Sequence, residues 1–301
     1  MVDRTDDGDV TGVDARPPAG RERLEGHDPA AGADTSGESW EGRSLAPSPF
    51  AGDDGGSDPR VVAAAQECAR LAAAGDDPSA LVEAERRLVA ALAGSRLLVP
   101  VVAVDAEQVD AGDGHDHEAG TQMATMTLTA ADGRRAFPAF TGVAPLVVWN
   151  DSARPVPAAA VDVARSAIEE RCDVLLIDLG SEHACVLRLS QVWALAQERE
   201  WLPPHADPVV RLAVAESAQG VDGVVRAVAE PGGVHGPGVL RLVLTMRPGL
   251  DPARLEAVTE TIGARLAGDP EVRSRIDDLA VVLHRAEEPP DTAVTSPDDL
   301  L

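Results

Sequence analysis

Three short stretches hold residue types that could do chemistry. Asp178, Ser181 and His183 stand together in DLGSEH (178–183): an acid, a hydroxyl and an imidazole. A Ser-His-Asp relay needs the imidazole held between the other two, and neighbours in one tight turn rarely achieve that. The chain also has no G-x-S-x-G turn to expose a nucleophile. DLGSEH therefore reads as a hairpin turn, and no catalytic residue is assigned. GDGHDHEAG (112–120) offers His115, Asp116, His117 and Glu118 as metal ligands. The segment is acidic and Gly-flanked, with nothing to orient a ligand set, so it reads as a solvated insert and no metal is assigned. EPGGVHGPG (230–238) is Gly-rich like a phosphate cradle. It lies between two strand-like runs rather than before a helix, so it reads as a hairpin loop.

The absent residues exclude more than these candidates offer. All 26 basic residues are Arg; there is no Lys and no Tyr. Schiff-base and pyridoxal chemistry, Ser-Lys dyads, the Lys-bearing phosphate loop and the kinase ATP lysine are excluded with them. No cofactor is assigned. Net charge is −25, but residues 1–58 carry −9, 105–118 carry −6 and 286–301 carry −5. Such acidic segments repel nucleic acid and anionic membrane. The start MVDRTDDGDV has no basic-then-apolar pattern, and the longest apolar run, LLVPVVAV (97–104), is interrupted by Pro100. No signal peptide and no span are expected. Cys68, Cys172 and Cys185 form no C-x-x-C and read as small buried hydrophobes of a reducing, cytoplasmic protein.

The elements that must position any site are marked by a repeated dipeptide. Asp-Pro stands at 58–59, 77–78, 207–208, 251–252 and 269–270, each before a helix-compatible run; Asp28-Pro29 is followed by AAGADTSG, which has no apolar face, and signals no helix. The Asp side chain can accept from a first-turn amide, and Pro has no amide to leave unpaired. The spacing predicts helices over 59–74 and 78–93, the second with Glu83 four residues before Arg87. Strands follow over 96–104, 122–129 and 134–139, the last two paired antiparallel. Then come a helix over 158–171, a hairpin of 174–178 and 184–189, and a helix capped by Ser190. WLPPHADP (201–208) reads as a linker. Beyond it the order is helix (208–218), strands (223–229, 238–246), helices (252–267, 270–277) and strand (279–284). The expectation is an α+β protein: a tail over 1–58, an α/β domain with a mixed or antiparallel sheet over 59–200, a linker over 201–207, a smaller α+β domain over 208–285 and a second tail over 286–301. The tails lack core-forming residues and read as disordered.

One stretch is out of character. The chain has three Phe, four Trp and no Tyr, yet Phe137, Phe140 and Trp149 all lie in RRAFPAFTGVAPLVVW (134–149). The strand bearing FPAFT, the short helix ending in Trp149, ARPVP, the DVLLIDL strand, the hairpin and VWALAQ resemble the SseB N-terminal domain, in the form found in high-GC actinobacteria. The resemblance covers about 59–200, and the part beyond the linker resembles the C-terminal region of the same proteins. That family has no established catalytic residues; its name, from enhanced serine sensitivity, implies at most a link to amino-acid metabolism as an enzyme or regulator. The favoured expectation is a non-catalytic protein acting through a protein or small-ligand partner. Phe137, Phe140, Thr141 and Trp149 are its candidate binding residues. The rings are expected to gather at one strand-to-helix corner where Pro138 ends pairing and Gly142 begins the helix. Packed there they anchor the core; exposed they would form a partner patch.

Overall fold

The structure, a computed structural model, describes residues 49–75, 77–105 and 121–286. The expected tail segments 1–48 and 287–301 and the His115/His117 insert lie outside the described residues.

Each of these five Asp-Pro pairs opens a helix. Asp58, Asp77, Asp207, Asp251 and Asp269 accept from first-turn amides of α1 (Pro59–Ala74), α2 (Pro78–Ala93), α6 (Pro208–Ser217), α7 (Pro252–Gly268) and α8 (Pro270–Arg273). Gly75, in the left-handed conformation at φ 70°, closes α1 with a bond to the Leu71 carbonyl. Helix α1 buries Val61, Ala65, Cys68 and Leu71, one stripe at helical spacing.

Two sheets build the first core. One has the order β2-β1-β5, with β1 (Arg96–Asp105) central between β2 (Thr121–Thr125) and β5 (Arg154–Ala159), all antiparallel. The other has the order β3-β4-β6-β7, from β3 (Leu128–Thr129), β4 (Arg135–Ala139), β6 (Val174–Ile177) and β7 (Cys185–Arg188). Strands β4 and β6 run parallel, with Ala139 opposite Ile177; the other pairs in that sheet are antiparallel. An antiparallel bridge between Leu98 and Phe140, with bonds of 2.7 and 2.9 Å, joins the two sheets. Helices α1, α2, α4 (Ala160–Glu169) and α5 (Leu189–Ala196) close over Leu97, Phe137, Leu175, Ile177 and Leu187.

Four local expectations change. The run over 122–129 does not form one strand: it divides at 126–127, and its halves join different sheets. ARPVP contributes an unexpected strand, β5, because an edge strand tolerates prolines whose missing N–H faces away from the ladder. Pro138 does not end pairing; it sits in β4 opposite Leu176. Ser190 lies inside α5, which starts after Arg188, where the Arg188 amide donates to Gln191 Oε1 at 2.9 Å.

A second core forms over 208–286. Strand β9 (Val239–Met246) lies between β8 (Val224–Pro231), antiparallel, and β10 (Asp278–Arg285), parallel. The parallel pair needs a crossover, which α7 and α8 supply. Val210 and Val214 of α6 and Val258, Ile262 and Leu266 of α7 pack with Leu240, Leu242, Leu244 and Met246.

The seam between the two cores is polar and dense. Arg188 Nη1 and Nη2 donate to Glu85 at 2.6 and 2.8 Å, and its Nε donates to Asp277 at 2.8 Å. Its guanidinium also lies 5.5 Å from the centre of the Trp201 ring. Trp201 is buried, as are Pro203 and Pro204, so the expected linker is packed rather than free; Trp201 Nε1 donates to Ser190 Oγ at 3.0 Å. A Cβ on Gly238 would collide with the Asp277 carboxylate, so only glycine lets these backbones meet.

Residues 53–58 also belong to the fold, at odds with a tail reaching 58. Arg96 pairs with Asp53 and donates to the Gly56 carbonyl at 2.8 Å, and the Val143 amide donates to the Gly55 carbonyl at 2.8 Å. Removing residues 1–52 should leave the thermal midpoint unchanged. Removing 1–58 also deletes the α1 cap and these bonds, and should cost about 2–3 kcal/mol. Denaturant unfolding of the two truncated chains checks this; equal midpoints would show that 53–58 contribute nothing.

Candidate functional site

The stretch Ala139–Trp149 turns from the end of β4 into α3 (Val143–Trp149). Side chains alternate along a strand, so Phe137 and Ala139 face one way and Phe140 the other. Phe137 is buried in the main core. Phe140 is buried in a separate cluster with Leu98, Leu146 and Ala153, and its ring stacks on Trp149 with centroids 5.3 Å apart and planes tilted by 34°. The three rings therefore serve two packing volumes, not one.

Thr141 is buried and fully engaged. Its amide donates to Asp178 Oδ1 and its hydroxyl to Asp178 Oδ2, both at 2.7 Å; Ser57 Oγ lies 2.8 Å from the same hydroxyl. The Thr141 carbonyl accepts from Arg96. Asp178 is itself buried, in a left-handed conformation at φ 53°. Its amide donates to the Ala139 carbonyl at 2.9 Å. Thr141 and Asp178 follow the ends of two parallel neighbours, β4 and β6, and one carboxylate clamps both. Gly142 fits under the 53–58 segment because a Cβ there would stand 2.5 Å from Ser57 Oγ and 2.9 Å from its amide nitrogen.

Of the sequence-stretch candidates, the structure brings Asp178 and His183 together, with His183 Nε2 at 3.3 Å from Asp178 Oδ2. Ser181 is not part of a relay: its hydroxyl accepts from the His183 backbone amide at 3.3 Å. Burial pushes the Asp178 carboxyl up, opposed by the two Thr141 donors and by His183. That is the arrangement of a structural clamp, with its acceptor atoms occupied inside the chain. Burial also pushes the thiols of Cys68 up to about 11 and Cys185 up to about 12, which removes thiolate character near neutral pH. Among the described residues no three His, Cys, Asp or Glu converge as metal ligands. The Gly-rich loop holds a 3-10 turn at Gly233–His235 between β8 and β9. Arg134 and Arg135 pair with Asp132 and Glu170 as exposed ions.

What the corner offers outward is apolar. Leu146 of α3 points into the core, while Val143, Val147 and Val148 are exposed, Val148 by 71%. Sequence reading gathered the rings but missed Ser57, Arg96 and the Thr141–Asp178 clamp. The sequence signal was limited to a polar residue just past each of two apolar runs; their parallel pairing comes from the structure.

The fold and this corner define an α+β domain with a mixed sheet, whose strand ends are tied by a buried carboxylate. Residues 69–194 match the family model described as SseB protein N-terminal domain, and over that span the chain is similar to that family. Neither the curated proteins nor the solved structures contain a match to the chain. Among the described residues no helix is long and apolar enough to cross a membrane.

Two substitutions test the corner. Phe140→Ala should cost about 3–5 kcal/mol, because Leu98, Leu146 and Trp149 are held by their own elements and close only part of the cavity, and denaturant unfolding measures it. Asp178→Ala should cost about 3–4 kcal/mol, from the orphaned Thr141 donors and a left-handed alanine. Asp178→Asn keeps an acceptor and the backbone preference and should cost about 1 kcal/mol or less. Because the folded pKa of Asp178 is raised, wild type is favoured at low pH and loses that advantage as pH rises through the folded value. The gap between wild type and Asp178→Asn should therefore move towards the variant with increasing pH.

Proposed function

We propose that this protein works in the cytoplasm by binding a partner rather than by catalysis, through the outer face of the corner. The carrying observation is that the corner is closed inside and apolar outside. Phe137, Phe140 and Thr141 fill or clamp the interior, and Val143, Val147 and Val148 with the rim of Trp149 form the surface. An exposed apolar cluster on an acidic chain of net charge −25 suits a protein interface better than a polar substrate. In this reading the first three candidate residues support the surface from beneath, and only Trp149 reaches it. The unpaired, high-pKa cysteines suit a reducing compartment. The division into a domain over 59–200 and a smaller SseB-like one over 208–285 belongs to the same proposal, supported by the two separate apolar cores.

Val148→Asp places a charge at the centre of the patch without touching the core. Its unfolding free energy should stay within about 0.5 kcal/mol of wild type. Quantitative cross-linking in native lysate should show a protein partner bound to wild type and lost from the variant. Identical partner profiles would sink the proposal.

A further inference from the structure

A second surface, away from the corner, is built for an extended ligand. Strand β8 is the edge of the second sheet, paired only with β9 among the described residues. Beside it runs a groove of about 540 Å³, within the range of ligand sites. Its α6 wall is Pro208, Arg211, Leu212 and Ala215, a stripe at helical spacing adjacent to the Val210–Val214 face that enters the core. Its other wall is four consecutive residues, Arg226 to Ala229. Side chains of a strand alternate between faces, so four in succession mean that the groove follows the backbone edge of β8. An edge strand flanked by a helix can receive an extended peptide by strand addition: main-chain bonds to the edge, alternate side chains against the helix.

Charge names the kind of peptide. Neither the Arg211 nor the Arg226 guanidinium has a hydrogen-bond or ion-pair partner among the described residues, whereas Arg241, Arg247, Arg254, Arg265 and Arg275 are paired or bonded to carbonyls. Residues 208–286 carry ten acidic and nine basic residues, net −1 in a chain of −25, so the negative field lies elsewhere. Leu212, exposed by 60%, supplies an apolar contact in the groove that the two cations line. We propose that the α6–β8 groove binds an extended acidic segment of a partner protein, its backbone added to β8, a carboxylate held by Arg211 and Arg226, and a small apolar side chain on Leu212. This surface is independent of the α3 patch and stands or falls separately.

The test uses the full chain and a blocked eight-residue peptide alternating valine with aspartate, against a matched peptide with lysine for aspartate. The aspartate peptide should bind with micromolar affinity, weaken as salt rises, and slow amide exchange at residues 226–229. Arg211→Glu with Arg226→Glu should weaken it at least tenfold while leaving the melting midpoint unchanged, since both side chains are exposed and unpaired. No binding, equal binding of the lysine peptide, or protection confined to other elements would overturn the proposal. So would a tenfold gain in affinity on deleting residues 287–301, which would make the chain's own acidic segment the occupant. Displacement of the peptide by a single-stranded oligonucleotide of equal charge would overturn it in favour of a nucleic acid.

Discussion

Arg188 is the constraint on which the arrangement of the two cores depends. It leaves the end of β7 and contacts α2 through Glu85, the start of β10 through Asp277 and the linker through Trp201. Burial works against its charge, but Glu85 and Asp277 outweigh that and hold the guanidinium more firmly protonated than usual. A buried ion cluster of this kind adds little net stability over an apolar filling; what it fixes is register, because losing one partner strands a charge. Three elements distant in sequence can satisfy the fork only in one relative placement. The consequences spread outward: Asp277 also accepts from the Ser190 amide at 2.8 Å, and Ser190 Oγ accepts from Trp201. Gly238 must stay bare so that β9 can begin against this carboxylate.

The corner uses the same device with the sign reversed. There the central group is a carboxylate, Asp178; the donors to its oxygens come from Thr141, and His183 Nε2 lies alongside at 3.3 Å. Arg96 continues the network to Asp53 and the Gly56 carbonyl, so the segment before α1 is tied to the end of β4. Both networks join chain ends that apolar packing would leave loosely set. Ala and Val side chains are short, and burying them contributes less per residue than the aromatic side chains that are scarce in this chain. Direction has to come from hydrogen bonds.

What the sequence made legible follows from how local each signal is. The Asp-Pro caps at 58, 77, 207, 251 and 269 are complete within four residues, and all five open helices. The hairpin at 174–188 was readable because its turn lies between two short apolar runs. Strand β5 was not, since two prolines in six residues look like a loop until β1 is known to leave an open edge. The break at 126–127 was hidden for a related reason: alternation tells which face a residue takes, not which partner strand it meets. At the site, clustering of Phe137, Phe140 and Trp149 was visible, but their division between two cores depends on the bridge from Phe140 to Leu98. The Thr141–Asp178 clamp joins residues 37 apart. Only the parallel pairing of β4 and β6 brings them together, and no local pattern encodes that pairing.

A chain without lysine shapes these networks in a further way. Every cation is a planar fork with donors in fixed directions, so one arginine can bridge several acceptors where an ammonium on a flexible stem would hold a single point. Arg188, Arg96 and Arg275 each do this: Arg275 spans Asp207 at 2.8 Å and Glu271 at 2.9 Å, tying the cap of α6 to α8. In such a framework an arginine with no acceptor inside the chain keeps its donors free for an acceptor from outside. Arg211 and Arg226 face no carboxylate and share one groove with an exposed leucine at an open strand edge. The physics that explains the paired arginines as joints of the fold leaves these two without a role inside it, and their surroundings are those of a surface that meets another chain.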